Sequence, residues 1–400
     1  MGTLEDLQSK IKNKAKGTHV STLSESQIAT GNKDWIQTPA YDLNRILSGS
    51  LYKGIPSRSF SVIVGPEHSF KSSFMCLCLA EAQRQGYTPV ILDTEGGWTK
   101  DFVERWSLDP NNALYIYTPW VENLQVSLAQ ILTSQYNNLA IALDSIGGLD
   151  KYKLINDAEA GDPKQDQGGL ARDIKKALKI LVNIVKSYDS IAIAGGHFYG
   201  NPNSYGGAED IGGGKSVKLF PDVIVSLKNA KILDTNKNVV GSEVTAITRK
   251  NRFFPPFNEA KLRINYVDGI NQYAGLPEVA LKAGFIEQRG SWVINTETGQ
   301  KVQGLNNFQS LMTDELLEKI DDYIKNSGYS TYNPNVAEAE KLAEKQQEEG
   351  STQPIPEEDA SVETNEVLSD INTEEEVDLE NSTLAETAPS SSKTNKNKNS

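Results

Sequence analysis

Lys71 and Ser72 close the run Phe60-Ser61-Val62-Ile63-Val64-Gly65-Pro66-Glu67-His68-Ser69-Phe70-Lys71-Ser72-Ser73, whose residue types suit the binding of phosphate. The apolar residues Phe60 to Val64 fit a strand covered on both faces. Gly65 lets the backbone turn so that N–H groups of the loop face an anion, and Gly65, Pro66, Glu67, His68, Ser69 and Phe70 form that loop. Lys71 would then reach the β- and γ-phosphates of a nucleotide, Ser72 would hold Mg²⁺ at a helix N-terminus, and Ser73 completes the nucleotide-binding run. The general pattern is G-x-x-x-x-G-K-[ST], and Phe70 stands where its second glycine belongs. The competing reading is a Gly-Pro turn opening an ordinary helix, with Lys71 solvated.

Two further strand ends carry carboxylates. Leu139-Ala140-Ile141-Ala142-Leu143 ends in Asp144-Ser145, where a carboxylate would orient a Mg²⁺ shell. Pro89-Val90-Ile91-Leu92 leads into Asp93-Thr94-Glu95, where Glu95 could polarise an attacking water. Lys71 and Ser72, Glu95 and Asp144 thus make one candidate site for ATP and Mg²⁺.

The elements that must position these residues alternate. Apolar strands and helices follow one another from Phe60 to Ala230, which predicts an α/β fold with a mainly parallel central sheet flanked by helices. Helices are expected over Ser72–Gln85, Lys100–Trp106, Leu124–Tyr136 and Ala171–Tyr188. Two polar, glycine-bearing segments, 147–169 and 198–214, read as long loops leaving carboxyl ends of strands, where open α/β sheets bind ligands. Plain surface loops are the alternative. Residues 241–267 alternate apolar and polar types around Pro255-Pro256, as antiparallel edge strands do.

The expected organisation is an N-terminal helix and linker over 1–33, an ATPase core over 34–268, a small α+β domain over 269–330 and a disordered acidic tail over 331–400. Thr3-Leu4-Glu5-Asp6 resembles a capping box, and Leu4, Leu7 and Ile11 share one face of a helix too short to stand alone. That helix should dock on this chain's body or on a neighbouring subunit as an oligomerisation arm.

The net charge of −13 is concentrated. Residues 331–400 hold 17 acidic and five basic residues, leaving the first 330 with 36 and 35. The body is therefore almost neutral, and the acidic total does not argue against a nucleic-acid partner. Cys76 and Cys78 lie two apart on a predicted helix, point in different directions and cannot pair there, which fits a reducing compartment. No stretch of about 18 apolar residues could span a bilayer, so the sequence reads as a cytoplasmic protein with no membrane role.

Taken together, these motifs resemble the RecA-type strand-exchange recombinases, most closely their T4-like bacteriophage branch. The likeness runs from about Ala40 to Tyr329. It includes Tyr41-Asp42-Leu43-Asn44-Arg45-Ile46-Leu47-Ser48-Gly49 with Gly54-Ile55-Pro56, the loop with Phe70 in place of glycine, and Leu143-Asp144-Ser145. It continues with Gly212-Gly213-Gly214-Lys215, Lys250-Asn251-Arg252 and Tyr266-Val267-Asp268-Gly269-Ile270-Asn271.

The resemblance implies an ATP-dependent recombinase that polymerises on single-stranded DNA into a helical filament, takes up double-stranded DNA and exchanges strands. A recombination mediator and a single-strand-binding protein would be its helpers. Glu95 matches the family's catalytic glutamate, Phe102 an aromatic stacked on adenine, and His197 a polar sensor of the γ-phosphate. Lys218, Lys250 and Arg252 match cations that reach the nucleotide of the adjoining subunit. The two long segments match the pair that grips DNA, with Lys151, Lys153, Lys164 and Arg172 in or beside the first and Gly206, Gly207, Gly212, Gly213 and Gly214 in the second. Phe102 could equally be a core residue. A hydrogen-bonded core residue is the alternative for His197, whose strand-end position favours the sensor, and a solvated basic edge is the alternative for the three cations. The second segment lacks Lys and Arg and carries Glu209 and Asp210, so backbone N–H groups would have to serve there. A ring-forming ATPase or helicase-like motor on the same fold is the alternative function.

Overall fold

The computed structural model of the chain describes residues 3–15, 20–26, 34–159, 168–200, 209–211, 214–267 and 269–327. In chain order its elements are α1 (Leu4–Lys14), β1 (Trp35–Ile36), α2 (Tyr41–Ser48), β2 (Ile55–Pro56), β3 (Ser59–Val64), α3 (Lys71–Arg84), β4 (Thr88–Asp93), α4 (Lys100–Arg105), β5 (Leu114–Tyr117), α5 (Val121–Ser134) and β6 (Leu139–Asp144). They continue as α6 (Lys153–Glu159), α7 (Gly169–Ser187), β7 (Ile191–Gly196), β8 (Phe198–Gly200), β9 (Glu209–Ile211), α8 (Lys215–Leu219), β10 (Val223–Leu233), β11 (Val239–Asn251), β12 (Glu259–Asn265) and β13 (Gly269–Asn271). The last are α9 (Leu276–Ala283), β14 (Ile286–Arg289), β15 (Trp292–Asn295), β16 (Lys301–Gln303) and α10 (Asp314–Ser327).

A nine-stranded sheet in the order β13-β12-β11-β10-β3-β7-β6-β4-β5 carries the site. The run from β10 to β5 is parallel, and β11, β12 and β13 add antiparallel strands at one edge. Because side chains alternate along a strand, the same strands feed two cores. Ile63, Ile91, Ala142 and Ile193 face the side packed by α2 and α3, while Phe60, Val62, Leu92, Leu143 and Ala194 face α5 and α7. Each of the larger of these side chains contributes about 1.5–3 kcal/mol through burial. β3 lies at the middle of the sheet, covered on both faces, as its unbroken apolar run requires.

Three expectations are corrected. Segment 147–169 is not a plain loop, because α6 forms within it. In segment 198–214, β8 and β9 pair as an antiparallel hairpin, Phe198 opposite Ile211. Helix α5 begins at Val121, three residues before the expected start, because Val121 and Leu124 are both drawn into the core against α7. The pairing of Gly269–Asn271 with β12 carries the large sheet past residue 268.

Helix α1 has the expected capping box between Thr3 and Asp6, but it buries none of its residues, and Leu4, Leu7 and Ile11 are exposed. The small region after β13 packs α9, β14, β15 and α10 around Phe308 and Leu51, and the buried Asp321 accepts from the Leu51 N–H at 2.6 Å. Residues 328–400, which include the acidic tail, lie outside the described residues. Among the described residues no helix is long and apolar enough to cross a membrane.

Candidate nucleotide and DNA site

The loop after β3 delivers Lys71 to the first turn of α3. Its ammonium donates to the carbonyls of Gly65 at 3.0 Å and Pro66 at 2.7 Å. Burial lowers its pKa, opposed by the charges of Asp144, Glu95 and Glu67. A Cβ on Gly65 would overlap Ser69 Oγ and approach the Leu227 carbonyl at 2.8 Å, so this turn has no room for a side chain. Asn229 on β10 donates to the His68 carbonyl at 2.9 Å and fixes the tip of the loop.

Phe70 occupies the left-handed region, at φ 75°. The backbone therefore keeps the conformation that a glycine would favour there, at a cost of roughly 1–2 kcal/mol. The Phe70 ring meets Trp106 edge-on at 5.2 Å, and such a pair offsets about 0.5–1.5 kcal/mol beyond its burial.

The parallel register sets Asp93 beside Asp144 at neighbouring strand ends. Asp144 is buried, and burial raises its carboxyl pKa while the nearby Ser72 hydroxyl and the Trp98 indole oppose the rise. The Trp98 indole N–H donates to Asp144 Oδ2 at 2.8 Å. Asp93 organises the next turn: its carboxylate accepts from the N–H groups of Glu95, Gly96 and Trp98 and from the Tyr115 hydroxyl. Glu95, exposed at the head of that turn, accepts from the Ser145 hydroxyl at 2.7 Å. Thr94 links the same two segments, accepting from the Ser145 N–H at 2.8 Å. Gly148 is required here too, since a Cβ would overlap Thr94 Oγ1.

Ser72, Lys71, Asp144 and Glu95 are therefore brought together as the sequence predicts. A serine hydroxyl near a buried carboxylate is a pair of hard oxygen donors of the kind Mg²⁺ takes, and Lys71 held inside a loop at a helix N-terminus suits phosphate. The residues present thus fit ATP with Mg²⁺. His197 follows β7 directly, half-buried, between the ends of β3 and β6. Phe102 is half-buried and packs against Trp98 at 5.5 Å, joining the core on one side.

The remaining cations lie elsewhere. Lys250 is opposite Ile224, level with Val62 in the middle of β3, while Arg252 is tied to Asp222 beside Phe60 near the start of β3, away from Lys71 beyond its end. The Lys250 ammonium donates to the carbonyls of Lys218 at 3.1 Å and Leu219 at 2.9 Å, closing α8. Its pKa is lowered by burial and then by Arg252. Arg252 donates to Asp222 at 3.1 Å.

Of the expected DNA contacts, Lys153 is exposed on α6 and Arg172 exposed in the first turn of α7. Lys151 is paired with Asp173 at 3.2 Å. Gly214 approaches Ala171, so the end of the second segment meets the return of the first. Lys164, Gly206, Gly207, Gly212 and Gly213 lie outside the described residues.

Sequence reasoning missed Trp98, Ser145, Asp93 and Tyr152. Ser145 stood beside Asp144 and could have been found as a glutamate partner. Tyr152, between two lysines, is half-exposed with its ring against Trp120 at 5.6 Å, a stacking surface that only the folded chain reveals. The family model for the RecA N-terminal domain matches residues 6–271.

Proposed function

From the premise that this chain belongs to the RecA family, a family of DNA-dependent ATPases that bind DNA and self-associate, we propose a recombinase of the T4-like phage branch typified by UvsX. It polymerises on single-stranded DNA into a helical filament, binds double-stranded DNA and exchanges strands between them. Its helpers are a mediator that loads it and a single-strand-binding protein. The observation that carries this reading is the Ser145 hydroxyl holding Glu95 beside the buried Asp144, with Ser72 near it and Lys71 held in the loop.

Ser145 engages one carboxylate oxygen of Glu95 and leaves the other to orient a water. As that water attacks the γ-phosphorus, Glu95 takes its proton and the bond from the γ-phosphorus to the ADP oxygen breaks. Lys71 gives up its loop carbonyls to the phosphates, exchanging neutral acceptors for charged ones. Ser72 and Asp144 would hold Mg²⁺, which when bound neutralises phosphate charge. His197 reports the γ-phosphate into the β8–β9 hairpin. Phe102 offers its ring to adenine.

Lys218, Lys250 and Arg252, remote from Lys71 in the same chain, serve the nucleotide of the next subunit, so ATP joins protomers and favours the extended filament. Lys153, Arg172 and Tyr152 contact DNA by charge and stacking, with little sequence preference and steep salt dependence. The acidic tail competes with DNA for this surface.

ATP hydrolysis with and without single-stranded DNA tests the reading. Strong stimulation is expected, abolished in Glu95→Gln and increased in a chain truncated after Pro334. Hydrolysis indifferent to DNA would move a ring-forming motor on the same fold to the front.

A further inference from the structure

Asp222, immediately before β10, is 2% exposed, yet it is a carboxylate among cations. Its Oδ2 accepts from the Phe60 N–H at 3.1 Å and from the Lys186 ammonium at 2.9 Å. Its Oδ1 accepts from Arg252 Nη1 at 3.1 Å. Its backbone is tied to two of the same residues, with its N–H on the Phe60 carbonyl at 2.7 Å and its carbonyl accepting from the Arg252 N–H at 3.1 Å.

The asymmetry of these contacts matters. Lys186 is itself anchored, donating to the Arg58 carbonyl at 2.7 Å, so Asp222 Oδ2 is committed to the fold. Arg252 is different: its side chain remains 57% exposed. It spends one guanidinium N–H on Asp222 and has further donors in the same plane. A planar fork held at one corner by a buried, immobile carboxylate presents its remaining donors in a fixed direction. Lys250 lies close enough to be affected by both charges. The cluster thus has an excess of positive charge and an exposed arginine whose main chain and side chain are both fixed by one residue. That is how a positioned cation for an external anion is built.

We propose that Asp222 is a positioning residue: it orients Arg252 of its own chain towards the nucleotide held by the next subunit. This rests on the assignment of Arg252 to the neighbour's site made above. Asp222 touches no phosphate and moves no proton. It removes the rotamer freedom that a long side chain would otherwise lose when the neighbour docks.

The two roles open to Asp222, serving Arg252 or simply holding β3 and β10 together, are separated by mixing full-length subunits on single-stranded DNA with ATP. Asp222→Asn keeps an acceptor for Phe60 and is expected to lower hydrolysis about tenfold, the loss typical of a charge-assisted hydrogen bond. When it is mixed equally with Glu95→Gln, hydrolysis per Asp222→Asn subunit should rise. The intact Arg252 edge of a Glu95→Gln subunit then completes the sound ATP site of an Asp222→Asn subunit, at roughly a quarter of all junctions in a head-to-tail filament.

Arg252→Ala mixed with Glu95→Gln is the control and should also rise. If Arg252→Ala rises and Asp222→Asn does not, Asp222 serves its own site or its fold, and the proposal is overturned. If neither rises, the assignment of Arg252 to the neighbour's site has failed first. Asp222→Ser provides a second variant with an acceptor and no charge. Should both variants unfold in thermal melts, Asp222 is structural and the proposal falls.

Discussion

At the carboxyl end of β3 a buried cation is surrounded by carboxylates, Lys71 lying in the field of Asp144, Glu95 and Glu67. At the other end a buried carboxylate, Asp222, is surrounded by cations. The first arrangement closes on itself: Lys71 spends its donors on loop carbonyls, Trp98 donates to Asp144, and Ser145 binds Glu95. The second is left open, with Arg252 mostly exposed and Lys250 partly so. One strand thus carries a pocket for an anion at one end and, at the other, cations suited to an anion on another molecule. On the proposed function, a chain built this way completes its ATP site by meeting a copy of itself.

The largest test of this contrast is Lys71→Ala, for which hydrolysis should fall about 10²–10³-fold, the loss seen when a positioned electrostatic donor is removed. A fall under tenfold would mean that this end is not the chemical one. Trp98→Phe comes next. It strips a donor from buried Asp144 and should cost about 1–3 kcal/mol in urea unfolding, with no comparable loss for an exposed tryptophan such as Trp292. At Phe70, glycine should be more stable than alanine by about 1 kcal/mol, because the backbone there is left-handed; equal stabilities would mean that the loop relaxes.

The smallest effect sharpens the comparison most. Arg252→Ala should cost under about 1 kcal/mol of stability, as an exposed partner usually does, while still reducing hydrolysis in the filament. A large loss of stability with hydrolysis intact would make Arg252 part of the fold instead.

How much of this was legible beforehand depends on the distance in sequence over which each feature is decided. The strand β3, its loop and the two carboxylate-bearing strand ends follow from local runs of apolar residues and the polar residues that end them. Phe70 departs from the usual glycine, yet the loop keeps its backbone path, so the departure touches packing and not geometry. Trp98, 46 positions from Asp144, and Asp222, 162 positions from Phe60, become partners only when β4 meets β6 and β10 meets β3. No periodicity announces such pairs. The α6 helix and the β8–β9 hairpin were hidden for another reason: the elements are short and lie in long segments that are polar and rich in glycine, so neither pattern rises above that of a loop.

The bond from the Trp98 indole to Asp144 has an optical consequence. An indole N–H aimed at a carboxylate feels every change in that group's charge, and a divalent cation drawn to Asp144 would weaken the field along the bond. The emission of Trp98 should then shift as Mg²⁺ and nucleotide arrive, while Trp35 and Trp292, placed on other parts of the fold, stay constant. The protein would carry its own fluorescent gauge of site occupancy, readable without a label.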